Sequence, residues 1–594
     1  MFKAIKLLKR KRFENPIIHD EEGKSVANNQ EKYNIINQHF KTHFQKEDAV
    51  PIERFVGPAR PLNCPVTSKE VTDASNKASD GKAPDKFNMP AELIKYAPES
   101  IHTEIARLIN NMFEKHIDTD TGSGILLPLP KPPPKTKGPV KNLRPIILLP
   151  ILRKVMSRIA LARTSSDMNK FLPQSQSAYR SNRSTTDIIW AYRWILAKVQ
   201  EYNITIYVSG IDMSSAFDTI KRDEILKLAE SILQEDETRI LRVLLSNTTL
   251  EVRVEGAITQ PFTSNIGSPQ GDSISGPIFT VYFEHALRQL RSEVLIQHER
   301  EHDYFIEQNL SALPDEMTYA DDHDTITDSI EKRDRIMNII AASLEHHNLQ
   351  VNEDKTEHIT LKRGNRDTEL WRNVRKLGSL LGDKEDIARR KQLSCAAMKD
   401  TNKLWRKKNL TRISKRIELY KALVKSVLTY NASTWGLTKD DENRLDSFHR
   451  QQLRRVIGVV YPHRISCKKL YKVTKSTPLS VQITKMRWKM FGHCLRMDEN
   501  TPARRAMTYY FQPTNETKFK GQKRATIITT LNRDIRRTKD KFAATFGLSI
   551  ISTTLSLRNT RIKANNRIMW RKYVKMITDA AYSDRAIRLN RLSL

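Results

Sequence analysis

The chain is poor in cysteine and lacks long apolar segments. Its 594 residues include only four cysteines, too few for a disulfide framework in a chain of this length, and none of them forms a C-x-x-C pair. The longest apolar run, 145–152, is much shorter than the roughly 20 residues that a membrane-spanning helix needs. The charged amino terminus also lacks the apolar stretch of a signal peptide. These absences predict a soluble, intracellular protein with no membrane association, located in the nucleus, the cytoplasm or both.

Acidic residues are scarce in the carboxy-terminal third. Residues 1–400 carry 57 Lys and Arg against 56 Asp and Glu, whereas residues 401–594 carry 44 against 12. The net charge of +33 therefore belongs almost entirely to that third. Cations that neutralise phosphates release counterions and give affinity without sequence information. The charge split favours a nucleic acid as partner, and a basic face that serves only solubility is the alternative.

Two local patterns lead to structural expectations. Prolines are concentrated in 127–135, and because proline has no amide donor we expect an extended arm there rather than a helix or a central strand. Cations alternate with aromatic residues in 485–494, for which two interpretations stay open. The segment either stacks on bases while contacting phosphates, or forms a helix whose Trp488 and Phe491 pack in a core.

Three aspartates stand at positions suited to metal binding. Residues 203–211 predict a strand that ends at Asp212, and the pair Asp321 and Asp322 lies at the turn of a predicted hairpin. One carboxylate at a strand end and two in a neighbouring turn can hold the two divalent cations that nucleotidyl transfer requires. Each signal is weak alone, because such acids are commonly helix caps or solvated turn residues.

The motifs around these aspartates resemble those of reverse transcriptases, and in particular those of non-LTR (LINE-type) retrotransposons. Residues 211–220 read Ile-Asp-Met-Ser-Ser-Ala-Phe-Asp-Thr-Ile, residues 267–271 read Gly-Ser-Pro-Gln-Gly, and residues 319–322 read Tyr-Ala-Asp-Asp. Seven blocks in the family's order make the combination specific. The other blocks that resemble the family lie at 142–146, 176–187, 352–356 and 377–382.

The resemblance implies an α+β fold, a right-hand polymerase of fingers, palm and thumb with a helical, basic C-terminal extension. The endonuclease that commonly precedes such polymerases is expected to be absent, because residues 1–126 are too short for it. We expect the chain to be divided into a linker-like segment at 1–60, an N-terminal helical extension at 61–126, fingers and palm at 127–382, a thumb at 383–460, and a basic nucleic-acid-binding region at 461–594.

The resemblance also implies roles for individual residues. Asp212 and Asp321 would bind two Mg²⁺ ions, with Mn²⁺ as an alternative, and Asp322 would complete the site. The ring of Phe217 would lie under the nucleotide sugar and exclude a 2′-hydroxyl. Lys355 would either protonate the leaving pyrophosphate or only face phosphate. The remaining residues expected at the site are Arg144 and Lys131 on the triphosphate, Gln270 and Gly271 on the nucleotide and template, and Leu377 and Gly378 in the primer grip.

The expected function is RNA-directed DNA synthesis, in which dNTPs extend the 3′-hydroxyl of a DNA primer on an RNA template. Two alternatives stay open. One is a reverse transcriptase of the group II intron or retron type, and the other is a non-catalytic nucleic-acid-binding remnant. The intact acids argue against the remnant.

Overall fold

The computed structural model of the protein is a mixed helix-and-strand structure. It describes residues 18–19, 24–26, 28–131, 139–213, 216–246, 248–269, 271–299, 312–365, 368–406, 411–521, 523–538 and 549–591. No helix within these ranges is long and apolar enough to cross a membrane.

The described strands are short and form three sheets. The first sheet has the strand order β2-β1-β4-β5 with β6 also paired to β4, the second has the order β7-β8-β3-β9, and β10 pairs with β11. The strand bounds are β1 Ser123–Pro130, β2 Leu143–Leu148, β3 Ile206–Ile211, β4 Thr248–Val254, β5 Ala257–Ile258, β6 Phe262–Ser264, β7 Glu316–Tyr319, β8 Asp322–Thr327, β9 Glu357–Leu361, β10 Arg375–Lys376 and β11 Ser379–Leu380.

Helices precede, separate and follow the strands. Their bounds are α1 Asn29–Phe44, α2 Ser68–Asn76, α3 Glu92–Lys95, α4 Glu99–Glu114, α5 Ile151–Phe171, α6 Thr185–Glu201, α7 Ala216–Thr219, α8 Arg222–Ile232, α9 Glu235–Leu245, α10 Ser275–Glu299, α11 Ile330–His346, α12 Asp383–Asp400, α13 Asn402–Arg406, α14 Ile413–Tyr420, α15 Ser426–Leu428, α16 Lys439–Ile457, α17 Cys467–Thr474, α18 Leu479–Arg496, α19 Pro502–Phe511, α20 Ile527–Arg536, α21 Thr554–Asn565 and α22 Arg567–Arg591.

The second sheet is covered on both faces. Ile206 and Val208 of β3 pack in a core with α6, whereas Ile211 at the end of the strand belongs to a second core with α10 and α11. Coverage on both faces explains why β3 reads as a nearly continuous apolar run instead of an alternating one. The predicted strand and hairpin are therefore confirmed as β3, β7 and β8.

The described strand residues of the proline-rich segment, 127–130, are extended and pair on one side only, so the exclusion of a helix and of a central strand is confirmed. β1 lies between β2 and β4, but only residues 123–126 pair with β4. Pro128 and Pro130 follow that point, so β4 requires no amide donor from them. On the other side Pro128 faces Pro145 of β2, at a position where neither residue can donate. Residues 132–135 of the segment lie outside the described residues.

The carboxy-terminal helices pack on α6. This helix begins at a capping box formed by Ser184 and Asp187 and is buried on nearly all sides, as expected for a helix inside a core. The buried Lys198 of α6 donates to the carbonyls of Tyr509 at 2.7 Å and Gln512 at 3.1 Å. A cation at this place also complements the dipole of α19, which ends at these carbonyls.

The aromatic residues of 485–494 are part of this core. Trp488 and Phe491 are both buried, and the ring of Phe491 stacks 6.1 Å from that of Trp190 on α6. Lys485 and Lys489 of the same helix stay exposed. The helix interpretation of this segment is therefore confirmed, and the stacking of Trp488 and Phe491 on bases is wrong.

A buried ion pair joins α18 to α20. Arg487 and Asp534 are both fully buried, and their side chains meet at 2.7 Å. The Asp534 carboxylate also accepts a hydrogen bond from the Trp488 indole at 3.1 Å. Because a buried charge without a partner is costly, each member of the pair depends on the other.

Replacing Asp534 with alanine is expected to lower the free energy of unfolding by about 3–5 kcal/mol, because the Arg487 guanidinium is left buried without its partner. The midpoint of thermal unfolding measures the effect. Asp48→Ala is the matched control, since Asp48 is exposed in a turn. Equal midpoints for the two variants would contradict the assignment.

Candidate active site

The predicted acids meet at one end of the second sheet. The register pairs Ile211 of β3 with His323 of β8, and one further step brings Asp212 opposite Asp322. Both side chains line a cavity of about 190 Å³ together with those of Lys355 and Lys376. The structure thus brings together residues that are far apart in the chain, as the motif order requires.

The turn before Asp321 is held by a buried glutamine that the sequence did not single out. Ala320 has a left-handed backbone with φ of 59°, which is unusual for a residue other than glycine. The side-chain oxygen of Gln176 accepts from the amides of Ala320 at 3.0 Å and Ala178 at 2.9 Å. Gln176 lies in one of the blocks that resemble the family, but nothing in its spacing signals this contact.

Burial and the proximity of several carboxylates determine the electrostatics of the cavity. Burial and the neighbouring Asp212 raise the pKa of Asp321 above its ordinary value. Burial, followed by the charges of Asp321 and Asp324, raises the pKa of Asp322 to about 6. A cation placed among these groups would relieve the repulsion, which is the electrostatic situation expected of a metal-binding site.

In the structure the ammonium of Lys355 supplies a positive charge beside one of these carboxylates. Its ammonium lies 3.0 Å from the Asp212 carboxylate, and the amide of Asn352 donates to the Asp212 carbonyl at 2.8 Å. Both side chains are about half exposed, so this pair can separate at little cost. Within the described ranges no three His, Cys, Asp or Glu side chains are arranged to hold a metal ion.

A second ion pair lies behind Asp322 and was missed by the sequence reasoning. The Lys376 ammonium lies 2.8 Å from Asp324, whose carboxylate also accepts from the Tyr192 hydroxyl at 2.6 Å. Burial favours a lower pKa for Lys376, but the Asp324 carboxylate raises it above the ordinary value. A Cβ on Gly210 would lie 2.1 Å from the Lys376 ammonium, so a larger residue at that point of β3 would displace the ammonium. Asp324 lies two residues after Asp322, which is the one signal that the sequence offers.

The loop at 267–271 packs against the segment that carries Phe217. The amide of Ser268 donates to the Phe217 carbonyl at 3.0 Å, and the ring of Phe217 stacks on that of Phe279 with centroids 4.2 Å apart. Gly271 has φ of +125°, and a Cβ there would lie 2.8 Å from the carbonyl oxygen of Ile147 on β2. Gln270 lies outside the described residues.

The two cations expected on the triphosphate lie on the first sheet and at its end. Arg144 is exposed on β2 opposite Leu129 of β1. The Lys131 ammonium donates to the carbonyl of Lys141 at 2.8 Å. Gly271 contacts the same strand β2, so this strand positions both Arg144 and the loop at 267–271.

The predicted primer-grip residues form the turn between β10 and β11. Leu377 and Gly378 both have positive φ, 45° and 78°, as tight hairpin turns require. The Tyr430 hydroxyl donates to the Leu377 carbonyl at 3.0 Å, and Arg389 of α12 donates to the Gly378 carbonyl at 2.7 Å. The turn is therefore tied to the helices that follow it.

Removing the charge of Asp322 is expected to change how stability depends on pH. The folded-state pKa of about 6 lies above the ordinary value, so the protonated form contributes stability below about pH 4 that is lost as the pH rises through about 6. In a chelator, Asp322→Asn should therefore gain thermal stability relative to the wild type between those pH values. A parallel pH profile for both proteins would contradict this, and Asp400→Asn, at an exposed helix end, should follow the wild type.

Replacing Lys376 with methionine is expected to destabilise the fold by about 3 kcal/mol or more, because Asp324 is left beside Asp322 without its cation. The double variant Lys376→Met, Asp324→Asn should recover most of the loss, since the amide oxygen can still accept from Tyr192. Thermal unfolding midpoints of the three proteins test the coupling. A double variant no more stable than the single one argues against the pair.

Comparison with known families agrees with this geometry. Residues 129–396 match the family described as "Reverse transcriptase (RNA-dependent DNA polymerase)". The matched range contains the three aspartates, the loop at 267–271 and the hairpin of β10 and β11. The match thus covers every residue that lines the cavity.

The chain is also similar to proteins of mobile elements. It is 22% identical over 492 residues to the RNA-directed DNA polymerase from mobile element jockey of Drosophila funebris, covering 75% of this chain and 50% of that protein. It is 22% identical over 303 residues to a probable RNA-directed DNA polymerase from transposon X-element of Drosophila melanogaster, covering 49% and 33%. A 149 kDa protein of transposon TX1 from Xenopus laevis matches with 21% identity over 238 residues, covering 39% and 18%.

The chain spans about half the length, or less, of the curated relatives that it matches. The family match covers residues 129–396, and two of these relatives are named as RNA-directed DNA polymerases, or probable ones, of mobile elements. Residues 129–396 are therefore a reverse transcriptase domain, and the chain is homologous to the RNA-directed DNA polymerases of non-LTR mobile elements.

Proposed function

We propose that this chain is an RNA-directed DNA polymerase that extends the 3′-hydroxyl of a DNA primer with dNTPs on an RNA template. The observation that carries the proposal is the meeting of Asp212, Asp321 and Asp322 at one sheet end within a reverse transcriptase domain. In the proposed reaction the primer 3′-oxygen bonds to the α-phosphorus of the dNTP while the bond to pyrophosphate breaks.

The proposal includes a right-hand architecture with fingers, palm and thumb. The second sheet with α10 and α11 is the palm, and the first sheet with Arg144 belongs to the fingers. Residues 383–460, which contact the turn of β10 and β11 through Arg389 and Tyr430, form the thumb. The basic region 461–594 packs on α6 of the polymerase core.

Two Mg²⁺ ions fit the acids of the palm. Carboxylate oxygens are the ligands that Mg²⁺ prefers. Burial, followed by neighbouring carboxylates, raises the pKa values of Asp321 and Asp322, and a divalent cation would stabilise their charged forms. Asp212 and Asp321 would hold the ions and Asp322 would support them, with Mn²⁺ as a substitute. When bound, such ions activate the primer hydroxyl and stabilise the leaving pyrophosphate.

Lys355 has a place in this scheme because it contacts Asp212. An ion bound by Asp212 would compete with the ammonium for the same carboxylate, and the half-exposed lysine would then be available to the phosphates of the nucleotide. The protonation of pyrophosphate by Lys355 stays a prediction.

The nucleotide contacts follow from the elements around the cavity. Phe217 would bound the sugar from the palm, supported by its stack on Phe279. Arg144 and Lys131 would contact the triphosphate, with Gln270 and Gly271 on the nucleotide and template. The backbone of Leu377 and Gly378 would contact the primer strand.

Asp321→Asn is expected to reduce dNTP incorporation on a primed RNA homopolymer by about 10²-fold or more, since several kcal/mol of charge stabilisation are lost while the size is kept. Incorporation of labelled dNTP in Mg²⁺ measures the effect, with Asp48→Asn as the matched control. A wild-type chain that is inactive on RNA and DNA templates, yet binds RNA in a salt-dependent way, would favour the non-catalytic remnant.

A further inference from the structure

A groove of about 670 Å³ lies between α18 and α22, and its lining residues are all different from those of the aspartate cavity. The two helices cross closely at Gly492, where a Cβ would lie 1.9 Å from the indole nitrogen of Trp570. The same indole donates to the carbonyl of Trp488 at 3.1 Å. This crossing fixes the distance between the helices and therefore the shape of the groove.

Cations from both helices line the groove. Lys485, Lys489 and Arg496 come from α18, and the corresponding row on α22 has a four-residue spacing, which places its members on one helix face at intervals of about 6 Å. The one acid in the lining is Asp579. The row on α22 is Arg567, Arg571 and Lys575.

These cations differ from the ion-paired arginines nearby. Arg487 is paired with Asp534, and Arg533 and Arg585 contact Glu442. By contrast, Arg496 donates to a backbone carbonyl, that of Ala564, at 3.0 Å. The other five lining cations make no ion pair within 4.0 Å to any described residue. Their charge is therefore directed into the groove, where it is available to a ligand.

The floor of the groove favours a phosphate ligand over other acidic partners. Trp570 and Val574 line it but are only 3% and 4% exposed, so no aromatic face is open for stacking on a base. Protein interfaces depend on apolar and aromatic anchors that insert into pockets, and this lining offers none. Rows of cations without such anchors suit a regularly spaced polyanion.

We propose that this groove binds the phosphodiester backbone of a nucleic-acid strand, as a second nucleic-acid site separate from the polymerase cavity. The contacts are to phosphates, so binding is independent of base sequence and strongly salt-dependent. The site would hold a part of the template or of the DNA away from the reacting 3′-end. It requires neither dNTP nor metal, so it can be tested independently of the proposed polymerase activity.

The test compares two triple variants of the full chain. The groove variant is Lys489→Gln, Arg571→Gln, Lys575→Gln, and the matched control has the same loss of charge at exposed lysines of the same region outside the groove. Fluorescence polarisation measures binding to a short RNA strand, the same DNA strand and its duplex, in chelator without dNTP, across a KCl titration. The control substitutions are Lys468→Gln, Lys520→Gln and Lys572→Gln.

For the groove variant, the slope of log affinity against log salt should become shallower by about two for a single strand and by about 2.7 for a duplex, as expected when three phosphate contacts are lost. The control should keep the wild-type slope on the same ligand. The ligand on which the slope changes identifies the bound nucleic acid as RNA, single-stranded DNA or duplex DNA. All substituted positions are exposed, so unchanged thermal midpoints should accompany both variants.

Two outcomes overturn the proposal. Equal slopes for the groove variant and the control, on every ligand, would mean that charge acts diffusely over the region. Loss of binding to a labelled polyglutamate peptide, with RNA and DNA binding unchanged, would make the groove a protein-docking surface. Neither outcome depends on whether the chain polymerises dNTPs, so failure of the groove and failure of the polymerase are distinguishable.

Discussion

The crowding of carboxylates at the end of one sheet is the constraint on which the rest of the site depends. Asp212, Asp321, Asp322 and Asp324 lie close together, and burial, followed by repulsion from the neighbouring carboxylates, raises the pKa values of Asp321 and Asp322. Two lysines offset it from opposite sides. Lys355 approaches Asp212 from the solvent side, whereas Lys376 approaches Asp324 from the protein interior. The exposed pair can open for a ligand, and the buried pair keeps the sheet end intact.

The buried pair also couples the sheet to the helices that follow. Lys376 immediately precedes the turn at Leu377 and Gly378, so its bond to Asp324 places that turn beside the cavity. From the other side, α12 and Tyr430 hold the same turn through its carbonyls. A displacement of α12 or Tyr430 would therefore move the turn and with it Lys376, the partner of Asp324. Asp324 lies two residues after Asp322 of the site.

The sequence predicted the elements that depend on local pattern and missed those that depend on distant packing. Strand β3, the hairpin of β7 and β8 and the three acids follow from periodicity and motif order. The partners Gln176, Lys376 and Tyr192 do not, because their contacts join segments with no shared spacing. The prediction for the proline-rich segment is confirmed for the same local reason, since proline cannot donate to a second neighbour and residues 127–130 pair with β2 alone. For 485–494 the sequence could not decide between base stacking and packing in a core, because the answer depends on which face of α18 other helices cover.

The structure shows which charges of the carboxy-terminal region are buried and which lie at the surface. Few acids are present there, and three of them, Glu442, Asp446 and Asp534, are buried and pair with arginines of α18, α20 and α22. Residues 401–594 have 12 acids against 44 Lys and Arg, and three of those acids are buried, so the cations at the surface have few partners of opposite sign. A protein that needed only solubility could intersperse both signs over this surface. Interior pairing combined with outward rows of lysine and arginine instead favours a region folded to present positive charge to a polyanion.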